Sequence, residues 1–146
     1  MKLYGVSFEQ TVVTFKDQVG YKLENFAGIS GCSFFVNPYV KSTTKPDIVH
    51  HVEISTPSKG LQSINDSRKI VELMLAKYGK PSHQYHQQTN ATNSNKCYDM
   101  YEWMLPNGFI TVKTIDIGVF DEGHIVINYY DTANIKDAFS EIIAGI

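Results

Sequence analysis

Three side chains combine the types and the closeness that metal or nucleophilic chemistry needs. The stretch LAKYGKPSHQYH, residues 75–86, carries His83 and His86 three positions apart, and Cys97 follows a short way downstream. Imidazole nitrogen and thiolate sulfur are preferred zinc donors, and zinc takes four in a tetrahedron, or three plus a water in a catalytic site. His83, His86 and Cys97 supply three, at a spacing that matches no zinc finger and without a helical His-Glu-x-x-His pair. A Cys beside a His is also a nucleophile arrangement, so these three residues mark where a small hydrolase or a metal-binding protein would work. The plainer reading is a solvated loop, because Pro81 to Lys96 is mostly Gln, Asn, Ser, Thr and His and follows a helix stop.

No other motif names a reaction. The chain has no Gly-x-Ser-x-Gly elbow, no phosphate-binding Gly-x-x-x-x-Gly-Lys loop and no Gly-x-Gly-x-x-Gly turn. His50 and His51 alternate across a strand, and His50 shares its side with Ile48, Val52 and Ile54, as a semi-buried histidine does. Asp116, Asp121, Glu122 and His124 lack the spacing of a calcium loop. The expectation is a non-catalytic protein with no cofactor, the enzyme or metal reading at Cys97, His83 and His86 standing as the alternative.

Composition narrows the class. A chain of 146 residues suits one domain over 1–146, able to bury roughly 68 to 70% of its unfolded surface without a staple. The net charge of −2 arises from 13 basic and 15 acidic residues that are interspersed, with no basic block to track phosphates, so nucleic acid is not expected as a partner. No apolar run approaches the ~20 residues of a spanning helix, and the opening MKLYGVSFEQTVV is not a signal peptide. The chain as written reads as cytoplasmic; it would be periplasmic or secreted if Met1 starts a trimmed mature form. Cys32 and Cys97 are too few for a disulfide framework.

Periodicity gives the elements. A short strand near Leu3 to Val6 leads to Ser7 and Gln10, a capping box, followed by Phe8, Val12, Phe15 and Val19 at helical spacing and a stop at Gly20. A second helix starts near Ser63 to Asp66, turns Ile70, Val71, Met74, Leu75 and Tyr78 to one side and ends at Gly79. A third begins near Thr132 to Asn134 and aligns Ile135, Ala138, Phe139, Ile142 and Ile143. Between the first two helices lie three strand-like runs, YKLENFAG, GCSFFVNPYV and DIVHHVEIST; after the second come CYDMYEWML, GFITVKTIDI and HIVINYYD. Turns at Pro106-Asn107-Gly108 and Asp121-Glu122-Gly123 join the last three. The order predicts an α+β fold of two tandem αβββ units, about 1–60 and 61–146, forming an antiparallel sheet with helices on one face and a C-terminal helix.

The opening KLYGVSFEQTVVTFKDQVGY, the FAGISG step, the LAKYGKP helix exit, the YEW strand and the closing INYYD together resemble small uncharacterised bacterial domains of unknown function. The layout is similar to the tandem αβββ arrangement of the beta-lactamase inhibitor protein family and of small outer-membrane assembly lipoproteins. Those proteins act by binding other proteins, so the resemblance implies a binding role.

Alternation then suggests a surface. In CYDMYEWML, Tyr101, Trp103 and Leu105 point one way while Tyr98, Met100, Glu102 and Met104 point the other. In HIVINYYD, Ile125, Ile127 and Tyr129 oppose His124, Val126, Asn128 and Tyr130. If the first set fills the core, Tyr98, Met100, Val126 and Tyr130 lie on the far face, where they would serve a protein partner or a second copy of the chain. A terminal helix or a loop folded over that face would make them ordinary packing.

Overall fold

The computed structural model describes residues 1–40, 48–57, 64–91, 94–117 and 122–132. The chain opens with a hairpin, β1 (Lys2–Leu3) and β2 (Val6–Ser7), closed by Tyr4 and Gly5, both at positive φ. Such a two-residue loop with two left-handed residues matches the right-handed twist of its strands. Helix α1 (Val12–Val19) follows, capped by the Thr11 hydroxyl, which accepts from the Thr14 N–H at 3.2 Å, and closed by Gly20. The expected capping box at Ser7 and Gln10 is therefore displaced. Ser7 is committed to pairing with Lys2, and its bonds with Glu9 N–H and the Gln10 amide shape the turn before the helix instead.

Three strands come next, β3 (Lys22–Glu24), β4 (Ser33–Tyr39) and β5 (His51–Ser55), with a short 3-10 turn at Phe26–Gly28. Helix α2 (Ile64–Tyr78) ends at Gly79, whose φ of 79° lets its N–H reach the Leu75 carbonyl at 2.8 Å. The second run then holds four strands rather than three: β6 (His83–Ala91), β7 (Ser94–Leu105), β8 (Gly108–Ile117) and β9 (Glu122–Asp131). The extra strand is the stretch read as a polar loop. Its nine residues pair with β7 from His83↔Glu102 to Ala91↔Ser94, so its conformation comes from main-chain bonds and not from an apolar alternation. The expected C-terminal helix and the turn at Asp121 lie outside the described residues, apart from Glu122 and Gly123 at the start of β9.

Seven strands form one wholly antiparallel sheet in the order β3-β4-β5-β9-β8-β7-β6. The two halves of the chain meet where β9 pairs with β5. One face of the sheet supplies the core: Phe34 and Val36, Val52 and Ile54, Ile125 and Ile127, Ile110 and Val112, and Trp103 are buried in one cluster with Phe15 of α1 and Ile70, Val71 and Met74 of α2. Leu75, expected on the buried side of α2, is exposed. The β7–β8 hairpin turns at Pro106-Asn107, and Gly108 is sterically required, since a Cβ there would sit 2.0 Å from the Tyr130 carbonyl oxygen. Among the described residues no helix is long and apolar enough to cross a membrane.

The indole of Trp103 ties these layers together. It is 2% exposed, and its Nε1–H donates to the Gly79 carbonyl at 2.8 Å, joining the sheet to the exit of α2. Trp103→Ala should lower unfolding free energy by about 3 to 5 kcal/mol in a urea titration, through a cavity and a lost bond. A loss below about 1 kcal/mol would show that the indole is not a core element.

Candidate outer sheet face

Strand register builds a row of rings on the face opposite the helices. Pairing sets Tyr39 against His51, His51 against Tyr130, Tyr130 against Phe109 and Phe109 against Met104, so one line crosses β4, β5, β9, β8 and β7. Centroids lie 5.0 Å apart for Tyr39 and His51, 4.2 Å for His51 and Tyr130, and 4.3 Å for Tyr130 and Phe109, with interplanar angles of 24°, 15° and 18°. Cross-strand ring pairs of this kind stabilise a sheet by about 0.2 to 1 kcal/mol each. The outer members are open: Tyr39 is 42% exposed and Met104 61%.

His51 sits inside the stack with its Nε2 2.6 Å from Asn128 Oδ1, a bond in which the ring nitrogen donates. Burial pushes its pKa below the ordinary histidine value, against the Asn128 bond and the nearby Glu53 carboxylate, which both favour the charged form. His124, on the same face of β9, is lowered mainly by burial and further by Lys113, against a bond to the Thr56 backbone.

A polar row of Glu53, Asn128, Thr111 and Glu102 runs beside the stack. Beyond it a depression of 440 Å³ is lined by Tyr85, Gln87, Tyr98, Met100 and Lys113, with the Lys113 ammonium 5.1 Å from the Tyr98 ring centroid. All four residues singled out from the sequence therefore lie on this face, in two groups. Tyr98 and Met100 line the depression, Val126 pairs with Lys113 beside it, and Tyr130 belongs to the ring stack across the polar row. Tyr39, His51 and Phe109 complete the stack and were not singled out. Alternation alone signals their outward direction, but their adjacency depends on β5 lying next to β9.

The strand at 83–91 also decides where the two histidines go. His83 pairs with Glu102 on the outer face, where Nδ1 lies 3.5 Å from Glu102 Oε2. His86 pairs with Asp99 on the inner face, with Nδ1 2.5 Å from Asp99 Oδ1. An odd separation in a strand sends side chains to opposite faces, so the two imidazoles do not converge on one ion. Cys97 pairs with Gln88 and Asp116 through the backbone of β7. Among the described residues no three His, Cys, Asp or Glu side chains form a metal-holding group. Cys32 is buried, and burial, with Asp66 and Glu24, pushes its thiol above the ordinary range, away from nucleophilic thiolate.

Comparison with protein-family models, curated proteins and solved structures finds no match to this chain.

The two lowered histidines give a pH signature. As pH falls below about 6.5 the unfolded chain takes up protons before His51 and His124 do in the fold, so their linkage lowers stability through that window. Melting temperature should fall from pH 7.5 toward pH 5, in the range where histidine titrates. His51→Phe, which keeps a ring in the stack, should flatten part of that slope; an unchanged slope would remove His51 from the account.

Proposed function

We propose that the protein is a non-catalytic binding module that recruits a protein partner through its outer sheet face. The observation that carries this reading is the four-ring stack Tyr39–His51–Tyr130–Phe109, bordered by a polar row. The rings spend their faces on one another, so the surface offers ring edges and the Met104 thioether, not flat platforms on which a sugar or base would stack. An apolar strip with a polar margin, rich in aromatic and Met side chains, has the composition of a protein interface. The depression at Tyr98 and Met100 extends the surface toward β6 and suits a partner side chain.

The experiment separates recognition from packing. A photo-crosslinking residue at Met104 or Tyr39, in cells that make the protein, should trap a protein partner that the same residue at Lys80 does not. With that partner purified, Tyr130→Ala should weaken binding by about 2 kcal/mol or more, roughly thirtyfold, while shifting the denaturant midpoint little. If Tyr130→Ala instead costs about 3 to 5 kcal/mol of folding stability, or leaves affinity unchanged, the stack is packing and the proposal fails.

A further inference from the structure

On the helix side of the sheet, the N-terminal hairpin, the 3-10 turn and α2 enclose a groove of 600 Å³. That size falls within the ~300 to 1,000 Å³ of small-molecule sites, which are mostly apolar with a few placed polar groups. Its walls are Leu73 and Met74 of α2, Phe26 of the turn and Tyr4 of the hairpin, with Tyr129 of β9 at its base. Two of these are large apolar side chains left open to solvent, Tyr4 at 63% and Leu73 at 47%. Lys2 and Lys77 are the charged residues among those that line it.

The backbone is strained where it wraps this groove. Tyr4 at φ 51° and Ala27 at φ 56° are left-handed without being glycine, at a cost of roughly 1 to 2 kcal/mol each. Each holds an aromatic wall in place, Tyr4 its own ring and Ala27 the neighbouring Phe26, and the two rings meet edge to face at 6.4 Å. Strain of this sort persists where surrounding structure fixes it, and it gathers at ligand clamps. Burial raises the phenol of Tyr129, further opposed by Tyr78 and Tyr4, so its O–H stays a donor at neutral pH.

We propose that this groove binds a single-chain amphiphile with an anionic headgroup, the chemistry of a fatty acid, its chain against Leu73, Met74 and Phe26 and its carboxylate held by Lys2 and Lys77. The apolar walls fit an acyl chain, and the two ammonium groups select the sign of the head. Lys77 also suits the carbonyl end of α2, which is why Lys2 is needed to separate the two roles.

The test is calorimetric titration of the full chain with myristate and with tetradecyltrimethylammonium, which has the same chain length and the opposite charge. Myristate should bind and raise the melting temperature, and the cationic amphiphile should bind at least roughly tenfold more weakly. Leu73→Asp should abolish myristate binding, and Lys2→Glu, which leaves the end of α2 untouched, should weaken it by roughly tenfold. Leu73 and Lys2 lie on the surface, so ligand-free melting of either variant should stay near that of the parent. Val13→Asp, an exposed apolar side chain of α1 outside the groove, should leave binding intact. Absence of myristate binding, equal binding of the two amphiphiles, or loss through Val13→Asp in place of Leu73→Asp would each overturn the proposal. Partner capture by the outer face is read separately and can fail or succeed on its own.

Discussion

The structure hangs on the pairing of β5 with β9. These strands come from opposite halves of the chain, and their register sets Val52 against Tyr129 and Ile54 against Ile127 on the core side, His51 against Tyr130 and Glu53 against Asn128 on the other. All four core-side residues are buried, and burying a side chain of this size stabilises by roughly 1.5 to 3 kcal/mol. The same pairing aligns His51 with Asn128 across 77 residues of sequence, a bond no local element provides. A slip of one residue would turn the tyrosines over together, moving Tyr130 into the core and Tyr129 out of it. The apolar demand of the core face therefore fixes the arrangement of the outer one.

That dependence explains what was legible in the sequence. Helix exits were readable because Gly20 and Gly79 supply left-handed backbone that closes a helix locally. Outward and inward residues of β7 and β9 were readable because period two is a property of a single strand. The ring stack was not, because it needs the order of strands, and DIVHHVEIST carries no mark that it lies beside HIVINYYD. The strand at 83–91 was hidden for a related reason. An edge strand with His83 and Gln87 on one face and Gln84 and His86 on the other has no apolar alternation, and what defines it is the ladder with β7. Once that strand exists, its geometry separates His83 from His86, a consequence that spacing alone did not reveal.

The two edges of the sheet are managed differently. At one end β3 is three residues long and carries Lys22 and Glu24, an ion pair at 3.2 Å, which makes a poor template for another strand. At the other, β6 runs for nine residues with no Lys, Arg, Asp or Glu among them. The polar composition that made this stretch look like a loop also leaves this edge without an apolar stripe. Tyr85 and Gln87 of β6 also line the depression on the outer face.

One strand serves both surfaces. Tyr129 closes the groove on the helix side and Tyr130 stands in the ring stack, and they are neighbours in β9. Alternation sends adjacent side chains to opposite faces, so the surfaces share a backbone segment and no side chain. The central position of β9, paired on both sides by β5 and β8, holds that backbone against displacement. A substitution at Leu73 or Met104 thus touches one surface alone, whereas a change at Tyr129, 6% exposed and packed in the core cluster, acts first on the fold and through it on both. The separability of the two surfaces follows from the pleat of a single strand.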